Sequence, residues 1–422
     1  MHEPPGGAAP RPLTTDPRRT RRDGAVVPHA LALAAILLIA LNLRPGATTL
    51  GPVLQEVSAS LGLTGGTAGL LAALPGLCFG AVGFVAVRVA ARMGLSAAVL
   101  GGAALVVVGL AARALAGSTG PFLVFTLFAL AGMALGNVLV PAWIKLHSAR
   151  RGVLYMTVYS VVLTAGGSLG ALVTAPLAAA GGAEGWRRAL GAWAVVALAP
   201  VAAWVLVVRR TGRDFPAVDD GRSRGPSLLR SPSAIALTVV FGLQSMNAYV
   251  QFAWLPQVLR DAGLAAGTSG SVVAVISACG VLGSLLMPTV ISRSRSLVPW
   301  IVAFGLVTAV GYLGLLIAPV AGAWVWALIL GLGGFAFPTV LALLPALSRD
   351  PHVTARLSGF VQPLGYVLAA IGPFVVGLVH QATGGWTVAL VLMAGSGVLM
   401  ALTGLRVSGR TLVDDELAAA RR

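Results

Sequence analysis

Arg44 is the residue whose type and position point most clearly to chemistry. It lies about midway along the first long apolar run of the sequence, directly before Pro45. A charge at the centre of a membrane-spanning helix costs about 2.5–3.5 kcal/mol on insertion scales, so such a residue is expected to have a partner or a function. No carboxylate lies at a matching depth, because Glu56 is about 18 Å further along the same helix at 1.5 Å per residue.

An unpaired guanidinium is a good binding group for small oxyanions and carboxylates, because its planar fork donates paired hydrogen bonds. The sequence therefore predicts that Arg44 binds an anionic or strongly polar ligand. The alternative is that Arg44 hydrogen-bonds backbone carbonyls that Pro45 leaves free and only shapes the helix.

Polar side chains at helical spacing accompany Arg44. Thr48 follows it by one helical turn, on the same face. A second apolar run carries a stripe of four side chains, namely Gln244, Asn247, Gln251 and Trp254. Amide side chains facing lipid would be costly, so we expect this stripe to face a cavity. The alternative is that it forms hydrogen bonds between helices.

Other apolar runs carry polar residues with the same two interpretations. Gln362 and Tyr366 lie four residues apart and are expected to face the cavity, whereas Asn137 either lines the cavity or bridges two helices. A further run carries a stripe of hydroxyl side chains, namely Thr157, Ser160, Thr164 and Ser168. Glycines within that run favour close helix packing over binding as the role of this stripe.

Groups that could couple transport to an energy source are few. No Gly-x-x-x-x-Gly-Lys loop for ATP occurs in the sequence. Glu56 and His380, at the outer ends of their runs, are the candidates for gating or ion coupling, and a purely structural role fits each of them too. Cys78 and Cys279 lie inside apolar runs and read as small buried side chains. We predict no metal site and no cofactor.

The composition shows which elements must position these residues. Of 422 residues, 57% are hydrophobic and 10% are charged, and the mean hydropathy is +0.90. So few charges exclude an ordinary soluble enzyme and a disordered chain. The apolar runs are continuous, which favours membrane helices over the alternating pattern of a β-barrel. The net charge of +16 comes from clumps of Arg between these runs, without interleaved aromatics, so we expect no nucleic-acid partner.

The apolar runs predict an all-α membrane protein with twelve transmembrane helices. We place them at 29–56, 67–89, 95–115, 121–146, 153–180, 187–208, 234–259, 268–291, 297–318, 321–347, 354–380 and 385–406. The predicted organisation is a disordered cytoplasmic tail (1–27), a six-helix bundle (28–208), a basic cytoplasmic linker (209–233), a second six-helix bundle (234–406) and a cytoplasmic tail (407–422).

The basic residues give the orientation. With both termini on one side, 24 of the 29 basic residues lie in the tails and loops of that side and 4 lie on the other, with Arg44 as the remainder. The positive-inside rule then predicts a multi-pass protein of the cell (inner) membrane with both termini in the cytoplasm.

An internal repeat relates the two bundles. Shifting the sequence by 201 residues superposes seven identical residues of 62–83 on 263–284, including Cys78 on Cys279. Gly185-Trp186 and Gly385-Trp386 match at an offset of 200. Two pseudo-symmetric bundles of six helices are the build of the major facilitator fold, whose substrate cavity lies between the halves near the bilayer midplane.

Several blocks of the sequence also resemble the cyanate porter family of that superfamily. They are Leu41-Asn42-Leu43-Arg44-Pro45 with Gly51-Pro52-Val53-Leu54, Gly136-Asn137-Val138-Leu139-Val140-Pro141, Phe241-Gly242-Leu243-Gln244-Ser245 with Ala253-Trp254-Leu255-Pro256, and Arg356-Leu357-Ser358-Gly359-Phe360. The resemblance implies cyanate-like anions or nitroimidazole-like heterocycles as substrates. It also implies a gating role for Arg88, but Val87 stands where the superfamily usually has Asp, so the Asp-based gating contact does not carry over.

The sequence thus predicts a secondary active or facilitative transporter, not an enzyme, that moves a small anion or polar organic solute by alternating access. We expect a monomer in a lipid bilayer with a small-molecule substrate. An efflux pump for drug-like compounds is the alternative. A membrane-embedded enzyme or a channel is a remote one, since the five His are scattered along the sequence and no pair of acidic residues lies beside them.

Overall fold

The computed structural model describes residues 27–147, 151–215, 227–407 and 412–419, and over these residues the chain is helical without any strand. Twelve helical segments there are long and apolar enough to cross a membrane, and we number them as spans 1–12. In chain order they are His29–Leu61, Gly65–Met93, Leu95–Leu115, Thr119–His147, Gly152–Ala179, Gly185–Thr211, Pro232–Asp261, Ala266–Arg293, Val298–Ile317, Ala323–Ala346, Arg356–Thr383 and Thr387–Gly404. Each observed bound lies within five residues of the predicted one.

Because the number of spans is even, the described chain begins and ends at the same face of the molecule. We call this face, which carries His29 and Gly404, the terminal face, and the opposite one, which carries Leu61 and Gly65, the far face. Nearly all of the predicted tail 1–27 and the middle of the predicted linker 209–233 lie outside the described residues.

The part of the predicted tail 407–422 that the structure describes includes a short helix, Val413–Ala419. Val413 and Leu417 are buried against the second bundle. The Glu416 carboxylate accepts a hydrogen bond of 2.6 Å from the Ser233 hydroxyl at the start of span 7. This terminal helix therefore holds the beginning of span 7 in place at the terminal face.

A capping threonine and a glycine set the two ends of span 2. The Thr64 hydroxyl caps span 2 by accepting from the backbone N–H of Thr67 at 3.2 Å. The same helix ends at Gly94, whose φ of +95° is open only to glycine at low cost.

Span 1 is interrupted at mid-depth. Its first helix, His29–Asn42, ends before Arg44, and short helical pieces follow at Pro45–Thr48, Gly51–Val53 and Leu54–Leu61. Pro45 and Pro52 have no backbone N–H, so each removes one bond of the helical ladder. Arg44 consequently lies at the junction of two helices, where irregular backbone is tolerated because it is enclosed by protein.

Spans 1–6 pack into one bundle and spans 7–12 into another, as the internal repeat predicts. The two bundles meet where span 2 packs along span 11 and where span 5 packs along span 8. Glycines make the first contact close: a Cβ at Gly69 would lie 2.9 Å from the carbonyl oxygen of Phe374, and one at Gly76 would lie 2.8 Å from that of Tyr366.

Candidate substrate cavity

A cavity of about 330 Å³ lies between the two bundles. Its walls come from spans 1, 2, 4 and 5 of the first bundle and from spans 7–12 of the second. Leu341 and Met400 line it within a few residues of the terminal-face ends of spans 10 and 12. Phe252 of span 7 and Ile276 of span 8, which are among the lining residues nearest the far face, lie nine and ten residues from the far-face ends of those helices. The cavity thus extends from the membrane midplane toward the terminal face.

Arg44 projects from the break in span 1 into this cavity. Its aliphatic stem passes over Gly167 of span 5, where a Cβ would lie 3.3 Å from the Arg44 Cβ. Its guanidinium carbon is 5.8 Å from the ring centroid of Phe337 in span 10, so the side chain reaches toward the opposite bundle. Tyr249 and Tyr366 of the second bundle line the same cavity. Arg44 therefore imposes its charge on both halves of the cavity.

No acidic residue and no histidine lines the cavity among the residues that the structure describes, and Arg44 is the one formal charge in its lining there. The described acidic side chains lie at the two faces, and none pairs with Arg44. The cavity consequently has a positive interior, which favours a negative or strongly dipolar occupant.

Arg113 performs the role that the alternative interpretation gives to Arg44. This residue ends span 3, is fully buried, and donates from Nη1 to the carbonyl oxygen of Gly46 at 3.1 Å and from Nη2 to Thr49 Oγ1 at 3.3 Å. It thus binds the backbone of span 1 just beyond the break. Arg113 is one of the four basic residues that the charge count assigns to the side opposite the termini, but the structure places it between helices as a support for the segment that carries Arg44.

The amide side chains of span 7 line the cavity and also bond to neighbouring helices. Gln244 donates to Ser245 Oγ at 2.6 Å. Asn247 donates to Ser396 Oγ of span 12 at 3.1 Å, and Gln251 donates to Tyr312 Oη of span 9 at 3.3 Å. These bonds fix the amide groups in orientation, and Asn247 and Gln251 thus both line the cavity and join helices.

Thr48 and Asn137 line the cavity from the first bundle. Asn137 accepts a hydrogen bond of 3.0 Å from the buried Tyr159 hydroxyl, which joins spans 4 and 5. Ser160 and Thr164, from the hydroxyl stripe that the sequence assigns to packing, also line the cavity. Thr164 donates to the carbonyl oxygen of Ser160 at 2.9 Å, and the Oγ1 oxygen keeps lone pairs that can accept from a ligand.

Aromatic rings form one wall of the cavity. Tyr366 lies with its ring centroid 5.3 Å from that of Phe79 in span 2 and 6.3 Å from that of Tyr249 in span 7. Phe337, which faces the Arg44 guanidinium, completes this wall. Aromatic faces beside a guanidinium suit a flat, conjugated ligand with a negative edge.

Two of the predicted binding residues lie outside the cavity lining. The Trp254 indole donates to the carbonyl oxygen of Pro373 at 2.9 Å, which ties span 7 to span 11. The Gln362 amide donates to Ser358 Oγ at 2.7 Å, one turn earlier on its own helix. The helical spacing places Trp254 and Gln362 on polar stripes. Such a stripe is wide, so residues at its edge can face a neighbouring helix instead of the cavity.

Sequence reasoning missed several lining residues, and the repeat offset could have found some of them. Adding 201 to Arg44 and Thr48 gives Ser245 and Tyr249, and both line the cavity. The same offset carries Phe79 to Gly280 and Asn137 to Pro338, which line it as well. The lining is therefore built from equivalent positions of the two halves, and the charge occupies one half only.

A polar cluster joins the two bundles at the far face, and we call it the far-face lock: Gln55, Glu56, Arg260 and Asp261. Arg260 of span 7 donates to both carboxylate oxygens of Glu56 in span 1, at 2.9 and 3.0 Å, and to the carbonyl oxygen of Pro52 at 3.3 Å. Gln55 donates to Asp261 at 2.7 Å. Each of these bonds joins the first bundle to the second at the far face.

The remaining gating candidates lie at the two faces. The His380 ring stacks on Trp386 with centroids 3.8 Å apart, and the Trp386 indole donates to Asp261 at 2.9 Å. His380 thus borders the far-face lock. Arg88 is exposed near the terminal-face end of span 2, and no ion pair of Arg88 occurs among the described residues.

Residues 36–373 match the sequence model of the Major Facilitator Superfamily, which is well over half of the chain. This chain belongs to the Major Facilitator Superfamily. It is 32% identical over 382 residues to the 2-nitroimidazole transporter of Escherichia coli (strain K12), covering 88% of this chain and 94% of that protein. It is 29% identical to the cyanate transport protein CynX of the same organism, covering 83% and 90%. An uncharacterized transporter, YycB of Bacillus subtilis (strain 168), is 30% identical over 83% of this chain and 87% of that protein.

Solved structures of the superfamily share the fold. The inward-open xylose transporter XylE from E. coli superposes with a TM-score of 0.72 at 14% identity, covering 93% of this chain and 99% of that one. A D-xylose–proton symporter gives a TM-score of 0.71 at 16% identity, covering 91% and 99%. The two-bundle architecture and the membrane location of this superfamily member therefore rest on both sequence and structure.

Proposed function

We propose that this superfamily member moves a small anion or a polar organic solute across the cell (inner) membrane by alternating access, with Arg44 as the anion-binding group. The observation that carries this proposal is the unpaired Arg44 guanidinium in a cavity shared by both bundles. Such a group, held at mid-depth without a carboxylate, is stabilised by a negative partner.

Cyanate-like anions and nitroimidazole-like heterocycles are the substrate classes that we favour. The names of two relatives supply them. The cavity supports the choice, because it combines the charge of Arg44 with aromatic rings and with amide groups fixed by neighbouring helices. The binding role that we propose extends to Thr48, Asn137, Gln244, Asn247, Gln251 and Tyr366.

The orientation that we propose puts the terminal face in the cytoplasm. The basic residues concentrated on that side support it through the positive-inside rule. The cavity then faces the cytoplasm while the far-face lock closes the outer side. We further propose that the transporter acts as a monomer, because each chain contains a complete cavity.

Ligand-dependent thermal stabilisation of the purified protein tests the proposal. Cyanate and 2-nitroimidazole are added separately, and a substrate should raise the unfolding temperature because it binds only the folded protein. Arg44→Gln should lower the affinity roughly 10- to 100-fold, since a charge-assisted hydrogen bond contributes about 1.5–3 kcal/mol. Transport of the same ligand should be lost as well.

Matched variants keep the test specific. Arg92→Gln removes the same charge from an exposed position at the end of span 2 and should leave ligand stabilisation intact. Arg44→Lys keeps the charge but loses the planar fork, so it should bind more weakly than the parent protein. Unchanged stabilisation and transport in a well-folded Arg44→Gln protein would contradict the assigned role.

Efflux of drug-like compounds is the second candidate, and the aromatic wall of Phe79, Tyr249, Phe337 and Tyr366 favours it. An efflux pump for apolar compounds should bind neutral aromatic ligands as well as anions of the same shape. Comparing benzoate with benzamide in the thermal assay separates the two functions: a preference for benzoate that disappears in Arg44→Gln supports the anion transporter.

A further inference from the structure

The cavity contains a charge that the protein itself does not neutralise. Among the described residues, Arg44 is the one charged group in the lining, with no acid or histidine beside it. The second buried guanidinium of this region, Arg113, adds positive charge behind the break in span 1 and has no carboxylate partner in the described chain. The centre of the first bundle is thus electropositive.

The carboxylates and the histidine near the far face are already engaged with other groups there. The Glu56 carboxylate is bound by Arg260, and Asp261 accepts from Gln55 and from Trp386. His380 stacks on Trp386. None of these groups lines the cavity, so none can release a carboxylate to Arg44 in this conformation.

This arrangement affects the empty and the loaded carrier differently. Alternating access requires a state in which the cavity is closed at both faces and holds little water. Enclosing an unpaired guanidinium in such a state is unfavourable, because the charge loses its hydration without gaining a partner. A bound anion supplies the partner, so the loaded carrier passes through the closed state more easily than the empty one.

We infer that this protein is an anion exchanger, in which a small monovalent anion leaving the cavity on one side must be replaced by another before the cavity can reorient. The inference rests on the proposed function, because it takes an anion to be the ligand of Arg44. It specifies the coupling: the driving force is the gradient of the counter-anion, and a one-for-one exchange moves no net charge.

Exchange in proteoliposomes tests the inference. Purified protein is reconstituted into vesicles that contain either potassium cyanate or potassium gluconate, and uptake of external radiolabelled cyanate is measured with valinomycin present to clamp the membrane potential. Protein-free vesicles give the passive leak. We expect internal cyanate to accelerate the initial uptake about tenfold or more, which corresponds to about 1.4 kcal/mol between the two reorientation barriers. An inside-alkaline pH gradient in gluconate vesicles should not substitute for internal cyanate.

The outcomes separate the two proposals. Equal initial rates with internal cyanate and with internal gluconate would overturn exchange while leaving cyanate transport standing. Uptake driven by the pH gradient alone, at the rate seen with internal cyanate, would also overturn it and indicate proton coupling. Absence of protein-dependent uptake in every arm would contradict the proposed function itself, and the exchange inference would fall with it.

Discussion

Removing one charge from the far-face lock should shift the balance between the two conformations of the carrier. Glu56→Gln leaves a side chain of nearly the same shape but abolishes the ion pair with Arg260, whose two bonds measure 2.9 and 3.0 Å. The ion pair joins span 1 to span 7, so its loss weakens the contact between bundles without touching the packing inside either one.

The structure sets the size of the effect. The Arg260 side chain is 19% exposed and that of Glu56 is 35% exposed, so the pair lies between a surface and a buried ion pair. Surface pairs contribute about 0.2–1 kcal/mol and hydrogen bonds to charged groups about 1.5–3 kcal/mol. Arg260 keeps its bond to the carbonyl oxygen of Pro52, which places the loss near the lower end. A loss of about 1 kcal/mol changes the population ratio roughly fivefold in favour of the state open at the far face.

Distance measurements between spin labels on the two bundles report this ratio. Leu115 and Val320 are exposed at far-face ends of the first and second bundle, so Leu115→Cys and Val320→Cys provide the labelling sites once Cys78 and Cys279 are replaced by Ala. We expect Glu56→Gln to enlarge the long-distance population about fivefold relative to the short one.

A matched control variant is available within the first bundle. Glu184 pairs with Arg187 three residues later, and its side chain is 61% exposed. Glu184→Gln removes an equal charge at the same face but crosses no boundary between bundles, so it should leave the distance distribution unchanged. Indistinguishable distributions for the parent protein and Glu56→Gln would refute the conclusion that this ion pair holds the far face closed.

Two further variants test the elements around Arg44. Arg113→Met should preserve folding but reduce the thermal stabilisation by cyanate, because the segment that carries Arg44 loses its hydrogen bonds at Gly46 and Thr49; undiminished stabilisation would contradict this support role. Gly51→Ala should favour opening of the far face in the same spin-label assay, since its Cβ would overlap the carbonyl oxygen of Phe252 in span 7. Gly101→Ala, whose Cβ would meet no atom within 4 Å, should behave as the parent protein. If Gly51→Ala also behaves as the parent protein, the close contact at Gly51 does not control opening of the far face.

The sequence alone predicts the architecture well, because two independent signals agree. Apolar length locates the spans, and the alternation of basic residues between the two sides fixes their number. The exceptional position of Arg44 is also visible from the sequence. A charge at the midplane without a carboxylate at the same depth can be recognised without knowing how the helices pack.

Burial between helices is much harder to predict than depth in the membrane. Arg113 ends an apolar run and therefore resembles a loop residue, although it is fully buried between spans 3 and 1. Phe79 and Phe337 line the cavity, but an aromatic side chain in an apolar helix has the same sequence pattern whether it faces lipid or a cavity. The expectation that Trp254 faces the cavity is wrong for the same reason. Its spacing shows on which face of the helix it lies, but only the position of span 11 decides what that face contacts.

The glycine contact between spans 2 and 11 has a consequence for the speed of the carrier. Where main chain touches main chain, as at Gly69 and Gly76, one bundle can roll over the other without interlocked side chains having to disengage and change rotamer. The contact between spans 2 and 11 should therefore offer little resistance to sliding, whereas the Glu56–Arg260 ion pair between spans 1 and 7 opposes separation of the bundles at the far face. The turnover rate should accordingly depend on the Glu56–Arg260 ion pair and on the ligand in the cavity. The contact between spans 2 and 11 should contribute little to the barrier.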